Sequence, residues 1–569
     1  PRMGRRRSDR VLRRDVAGPP RVARPPPHRV PSPVRAQRAA VASLLLASLS
    51  ACAATAPEPQ RRPDVVVILA DDLGFSDLGC YGGEIATPHL DRLAAGGLRF
   101  TSFSSTGRCC PTRASLLTGL YPHQVGMGWM TAADLGRPAY RGELSPDCVT
   151  LPEALGAAGY RTAMVGKWHL SYDGHMREAR ASWPTARGFE RWTGTLTGGG
   201  SYFAPDTLVV DGELVEEVEA GSYSTDVFSD AAVRFVEEHH AATPDEPLLL
   251  YVAHQAPHWP LHALPEDIAR YEQRYRKGWD VLRAERHRRQ LELGLLPSRT
   301  PLPERDPQVP AWDSLEPARQ AEMARRMAVY AAQVDRMDQG VGRLLDALER
   351  TGRLENTLVV FLSDNGGCAE RISRGDTDPA ALGSERSFES YRRPWAHLSN
   401  TPFRLYKHWV HEGGIASPLI VHWPAGIAAR GELRDEPGHV IDVLPTCLEL
   451  AGAELPPLVD GRPAPAPEGE SLVPVLAGDT LGPRTLYWEH EGHRAVRVAS
   501  WKLVARGAEE PWELYDLRTD RAEQVDLAAR EPLVLASLAA RWNAWAERCG
   551  VLPLDGRGWN ERIQADVRR

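Results

Sequence analysis

The strongest constraint on this chain is a recurrence of short, β-branched apolar runs, most of them ending in a cluster of polar residues. "DVVVILADD" opens the series at Asp64. "YRTAMVGKWHL" (160–170), "EPLLLYVAHQAPH" (246–258), "NTLVVFLSDNGG" (356–367) and "SPLIVHWP" (417–424) follow it. Such runs read as strands buried on both faces, the habit of a parallel sheet. Between them lie stretches of helical period: "PHLDRLAAGG", "TRASLLTG", "TLPEALGAAGY" and the long "ARQAEMARRMAVYAAQVDRMDQGVGRLLDALERTG". The alternation predicts an α/β fold on a large, mostly parallel or mixed sheet flanked by helices.

Two stretches break the alternation. Residues 265–320 are charged and then Pro-rich, and read as a surface excursion of helix and loop. "PAPAPEGE" (463–470) lies near a domain boundary. After it, "TLYWEHEGHRAVRVASWKLVA" alternates like antiparallel strands, with "HEG" as a turn, and "ELYDLRTDRAEQVDLA" leads into a last helix. Residues 64–475 are therefore expected to form the large domain, and 476–569 a smaller C-terminal α+β domain.

Charge is unevenly spread. Residues 1–52 carry twelve Arg against two Asp, a surplus of ten, so with −7 overall the remainder carries −17. An acidic body argues against nucleic acid as a partner. The Arg- and Pro-rich leader has no apolar period and is expected to be disordered. Residues 39–52, "AAVASLLLASLSAC", are too short to span a bilayer and read as the apolar part of an export signal. The end of that segment, Leu49-Ser50-Ala51-Cys52, resembles a bacterial lipoprotein box, which implies lipidation of Cys52 and a membrane anchor. The alternative is an ordinary secretory signal. Residues 53–63 then serve as a linker, and the expected location is the periplasm or a membrane-anchored exported form. Eight cysteines in 569 residues are too few for a disulfide scaffold. Cys80, Cys148, Cys368, Cys447 and Cys549 read as buried thiols or as one or two disulfides.

Polar residues follow nearly every predicted strand: Asp71 and Asp72, Lys167 and His169, His258, and Asp364 and Asn365. In open parallel sheets, ligands bind beyond the carboxyl ends of the strands, so these clusters should converge. Asp71, Asp72, Asp364 and Asn365 are hard oxygen donors, suited to Ca²⁺ or Mg²⁺. Arg113, Lys167, His169, His258 and Lys407 are cationic donors suited to a tetrahedral oxyanion. Together they point to transfer of a phosphoryl-like or sulfuryl-like group. Cys109 and Cys110 stand side by side before Pro111, at the expected start of a helix whose N-terminus favours negative charge. Structural thiols, metal ligands and a nucleophile all remain open on that ground. His254 reads as a packed histidine. His408 and His411 either line a substrate mouth or do not. Trp129, Trp259 and Trp409 could stack on an aryl or sugar ring.

"CCPTRASLLTG" resembles the sulfatase signature Cys-x-Pro-Ser/Thr-Arg-x-x-x-x-Thr-Gly. "ADDLGFSDLGCYGG", "VGKWHL", "APHWP", "LSDNGG", "YKHWVHEGG" and "ELYDL" match further blocks of that family in order, across about residues 64–550. The likeness is to bacterial arylsulfatases within the alkaline-phosphatase-like superfamily. It implies that a maturation enzyme oxidises Cys109 to formylglycine, with Cys110 a bystander. It implies that Arg113 holds the formylglycine hydrate, that Lys167 and Lys407 clamp the sulfate, and that His169 removes the hydrate's proton. His258 would lie at the leaving-group oxygen. Asp71, Asp72, Asp364 and Asn365, with the group at position 109, would bind one Ca²⁺. The substrate implied is an aryl sulfate or a sulfated carbohydrate. A phosphonate or phosphodiester hydrolase using the same group, and a catalytically silent, surface-anchored binding protein on the same fold, are the rival readings.

Overall fold

The computed structural model describes residues 61–459 and 461–569, and the expected leader with Cys52 lies outside them. Ten strands form the main sheet. In chain order they are β1 (Asp64–Ala70), β2 (Leu98–Phe100), β3 (Arg161–Lys167), β4 (Arg191–Thr195), β5 (Leu208–Val210), β6 (Glu213–Leu214), β7 (Leu248–Ala253), β8 (Thr357–Ser363), β9 (Leu419–His422) and β10 (Glu432–Arg434). Their spatial order is β10-β2-β9-β8-β1-β7-β3-β4-β5-β6. The five central strands, β8-β1-β7-β3-β4, run parallel.

The β1 sequence explains its central place. Every residue from Asp64 to Ala70 is buried. Val65, Val67 and Leu69 enter one apolar core, and Val66, Ile68 and Ala70 enter another on the opposite face. A strand with two buried faces needs helices on both sides. Helices α1 (Pro88–Gly96), α4 (Ser224–Ala242) and α6 (Pro317–Arg350) cover one face. Helices α2 (Cys109–Thr118) and α3 (Leu151–Ala157) cover the other. The chain is thus the expected α/β sandwich of helices around a large sheet.

Two sequence expectations fail. "SPLIVHWP" reads from its sequence as a parallel strand like the others, yet β9 runs antiparallel to both β8 and β2. A four-residue apolar run records burial but not direction, which is set by how the chain returns to the sheet. Residues 265–320 are not merely superficial. Tyr271, Tyr275, Trp279 and Trp312 enter the core, with the Trp279 ring 4.7 Å from Trp312 and 5.2 Å from Trp395. Arg286, on helix α5 (Gly278–Glu292), is buried in ion pairs with Asp77 (2.6 Å) and Glu84 (2.7 Å). Its charge suggested solvent, but paired charges can be carried inward.

A second, four-stranded antiparallel sheet follows: β11 (Thr485–His490), β12 (His493–Val498), β13 (Trp501–Ala505) and β14 (Glu513–Asp516), paired in that order. Helix α7 (Pro532–Arg548) covers one face through Trp542 and Trp545. The other face, with Leu486, Trp488 and Val504, packs on Val410 and Ile415. Helix α8 (Trp559–Gln564) closes the chain, with Trp559 5.1 Å from Trp129. All seven described cysteines are free thiols, including Cys80, Cys148, Cys368, Cys447 and Cys549.

A buried charge cluster ties the second sheet to the segment that leads into β9. Lys502 on β13 lies 2.8 Å from both Glu412 and Glu523, and Arg521 lies 3.3 Å from Glu412. Burial would raise Glu412, but Lys502, Arg521 and Arg497 outweigh it and lower its pKa from 4.5 to about 2. The folded value is depressed, so the Glu412 contribution is full above 4.5 and is lost as pH falls towards 2. Lys502→Met leaves two buried carboxylates short of a cation and is expected to cost about 3–5 kcal/mol. Urea unfolding at pH 7 measures this, and the gap from the parent should narrow as pH drops below 4.

Candidate active site

The register of β1 and β8 sets Ala70 opposite Ser363, so Asp71–Asp72 and Asp364–Asn365 leave the sheet side by side. The Asp71 amide donates to Ala256 O (3.1 Å) and that of Asp364 to Ala70 O (3.0 Å), which ties both turns and the loop beyond β7 together. β3 ends at Lys167 on the same edge. Helix α2 begins at Cys109 with Pro111 in its first turn. All ten residues predicted from the sequence are buried. The fold brings them together through a continuous set of contacts.

Arg113 donates to Asp364 Oδ2 (2.8 Å) and to Lys167 O (2.9 Å), and lies 3.6 Å from Asp71. Lys167 pairs with Asp71. Lys407 Nζ lies 2.8 Å from Asp72 Oδ1. Asn365 Nδ2 donates to the same Asp72 oxygen at 2.7 Å. His258 Nε2 is 3.6 Å from Asp72, and its Nδ1 is 2.6 Å from Trp259 O. A carbonyl only accepts, so Nδ1 carries the hydrogen and Nε2 faces the site. His169 Nδ1 lies 3.5 Å from Cys109 Sγ. Thr112 Oγ1 donates to Asp364 O at 2.6 Å, pinning the helix start to the β8 turn.

The electrostatics follow from burial and proximity. Burial would raise Asp71, but Lys167, His258 and Arg113 hold it at about 2. Asp364 is pushed well above the usual carboxylate range by burial and then by Asp71. Cys109 sits well below the ordinary thiol range: Cys110 lowers it, and Lys167, His169 and Lys407 add to this against the cost of burial. Burial lowers His169, and burial with Lys407 beside it lowers His258. Cys110 Sγ, beside Cys109, also approaches Trp129 O (3.7 Å) and Met130 Sδ (3.5 Å).

The donor set fits a hard divalent cation. Asp71 Oδ1 and Asn365 Oδ1 are buried and have no hydrogen-bond partner. Unpaired buried oxygens of this kind cost free energy unless something binds them. A cation among them also relieves the repulsion that holds Asp364 high. Oxygen donors select such an ion over a thiophilic one.

Other sequence candidates sit as follows. His254 is buried and pushed down to about 4 by burial, with Arg343 adding to it. His411 is buried, 3.3 Å from Glu513 of the second sheet, and so does not line the mouth. His408 is partly exposed and pairs with Glu491 at 2.7 Å. Trp259 donates to Glu370 Oε2 (2.9 Å), and Trp129 to Glu491 Oε1 (2.6 Å). The Trp409 ring lies 5.0 Å from His408.

Sequence reasoning missed two features. Glu370 bridges Arg108 (2.9 Å) and Trp259, bracing the residue before Cys109 against the one after His258. The "TGGGS" loop (197–201) passes directly over both histidines. A Cβ on Gly198 would lie 2.3 Å from the His169 ring, and one on Gly199 2.9 Å from His258. Three consecutive glycines were the available signal for close backbone approach.

Buried guanidinium, lysine and imidazole groups around a carboxylate cage, at the carboxyl edge of a parallel sheet, define an ester hydrolase for a tetrahedral oxyanion. A family model described as Sulfatase matches residues 63–453, and one described as N-sulphoglucosamine sulphohydrolase, C-terminal, matches residues 403–538. The chain is 34% identical over 534 residues to an uncharacterised sulfatase of Schizosaccharomyces pombe, covering 86% of this chain and 95% of the relative. It is 35% identical over 417 residues to an arylsulfatase of Klebsiella aerogenes, covering 69% and 88%. The crystal structure of Ps i-CgsB in complex with k-i-k-neocarrahexaose superposes with a TM-score of 0.64 at 25% identity, covering 89% of this chain and 98% of that one. The chain belongs to the sulfatase family, and its activity is hydrolysis of sulfuric esters.

Gly198→Ala should force His169 off its position and lower kcat about 100-fold, the scale of a 1 Å misplacement. Gly200 has open space around its Cβ position. Gly200→Ala should stay within about twofold of the parent, since nothing there is displaced. Steady-state kinetics on one aryl sulfate compares the two.

Proposed function

We propose that this enzyme hydrolyses sulfate monoesters of aryl or sugar alcohols, using formylglycine made from Cys109 and one bound Ca²⁺. The observation that carries the reading is the placement of Cys109. It is buried at the start of a helix, 3.5 Å from an imidazole nitrogen, with its thiol lowered by Lys167 and Lys407 among others. Asp71, Asp72, Asp364 and Asn365 would hold the ion, which supplies positive charge against the sulfate oxygens. The aldehyde, once hydrated, supplies one hydroxyl for attack on sulfur and a second whose deprotonation releases sulfate. A plain alcohol would remain trapped as a stable ester.

The chain's own residues do the rest. Lys167 and Lys407 exchange part of their pairing with Asp71 and Asp72 for the sulfate oxygens. Arg113, fixed by Asp364 and Lys167 O, steadies the group at position 109. His169 Nδ1 takes the proton from that group. His258, with Nδ1 committed to Trp259 O, presents Nε2 and, as the imidazolium favoured by Asp72 3.6 Å away, gives that nitrogen's proton to the departing oxygen. A general acid matters most for alcohols that leave poorly, such as sugar hydroxyls. That role, and the similarity to a structure holding k-i-k-neocarrahexaose, favour a sulfated carbohydrate. The export signal read in residues 39–52 supports a periplasmic enzyme or one anchored through Cys52, met before or during export by a maturation enzyme.

Peptide mass spectrometry after co-expression with such an enzyme should find formylglycine at position 109. Fully active protein with unmodified cysteine would overturn the mechanism. His258→Ala should cost little on a nitrophenyl sulfate. On alkyl or sugar sulfates it should cost about 100- to 10,000-fold. kcat/KM across esters of graded leaving-group pKa tests this. Parallel slopes for parent and variant would remove His258 from the acid role.

A further inference from the structure

The hairpin between β11 and β12 carries His490, Glu491 and His493 to the loop that holds Lys407. We propose that His408, His490 and Glu491 form a second metal site, for a zinc-class divalent ion, distinct from the oxygen-rich centre. One donor atom from each of the three lies within 4.8 Å of the other two. His490 is 1% exposed, and neither of its ring nitrogens has a hydrogen-bond partner. A buried unpaired nitrogen is costly to leave without a partner, so a group that binds it is expected. Among the charged groups that act on it most, Glu491, Arg108, His408 and Arg562, the carboxylate alone favours a cation.

The partners of the other two ligands are already arranged for an ion. Glu491 Oε1 accepts from Trp129 Nε1 (2.6 Å), which fixes the carboxylate and leaves Oε2 facing His408 Nδ1 at 2.7 Å. His493 Nε2 stands 2.9 Å from His408 Nε2. With the ion on His408 Nδ1, the remaining Nε2–H donates to His493 and holds the ring in place. His408 and Glu491 also hold left-handed backbone, with φ of 88° and 53°. Two imidazoles and one carboxylate are borderline donors, suited to Zn²⁺ with a water in the fourth position. They are too few and too nitrogen-rich for Ca²⁺. His408 side-chain exposure of 30% leaves the ion a way in. Arg108, which faces the cluster, is neutralised by Glu370 at 2.9 Å.

The test uses the full chain, saturated with Ca²⁺ and then exposed to Zn²⁺ or Co²⁺. Elemental analysis after gel filtration should find one Zn²⁺ per chain. Co²⁺ should give a visible band without the near-ultraviolet thiolate transition that binding by Cys109, Cys110 and His169 would produce. His490→Ala and Glu491→Gln should each weaken Zn²⁺ by more than about 100-fold, since losing even an outer partner of a metal ligand costs about 10- to 100-fold. Far-UV circular dichroism and melting without added metal check that each variant folds. If His490→Ala does not fold, Glu491→Gln alone decides. No bound Zn²⁺, a thiolate spectrum, or stoichiometric Zn²⁺ unchanged in the folded variants would each overturn the proposal.

Discussion

Everything at the active edge depends on a charge balance struck in the absence of water. Asp71, Asp72 and Asp364 are buried together, and Arg113, Lys167 and Lys407 are buried against them. Three acidic and three basic side chains thus share one dry pocket, with Asp364 held well above the usual carboxylate range, and removing a partner strands charge in low dielectric. A divalent cation held there, as proposed above, would add positive charge and favour ionisation of Asp364. That positive charge would face an anionic sulfate ester. On the proposed mechanism, the lysines would turn to the substrate as their carboxylate partners turn to the metal.

Holding these groups in place strains the backbone. Asp72, His169 and His408 are non-glycine residues with φ of 65°, 55° and 88°. Such conformations persist only where surrounding contacts over-determine them. Here the Asp72 amide is held by Asp364 Oδ1 (3.2 Å), that of His169 by Leu196 O (3.1 Å) and that of His408 by Gly107 O (2.8 Å). Each strained residue is thus anchored to a neighbouring turn of the same edge. The second sheet adds to this support: Trp488 donates to Ser105 O (2.8 Å), and its hairpin meets His408 directly. It therefore forms part of the wall of the site.

The sequence by itself determined the central strands, the helices between them and the convergence of polar groups at one edge. Those features are local: β-branched runs fix burial, and the α/β alternation fixes where strand ends must gather. It also singled out the residues that the sulfatase blocks carry, because each block is contiguous. What it left undecided was non-local. The direction of β9 depends on the path of the returning chain. The burial of Arg286 depends on Asp77 and Glu84, about two hundred residues away. Glu370 and the His408–His490–Glu491 cluster join segments that no single motif spans. Only the tertiary structure could decide these, because a charge or an imidazole has no fixed meaning until its partner, drawn from elsewhere in the chain, is in place.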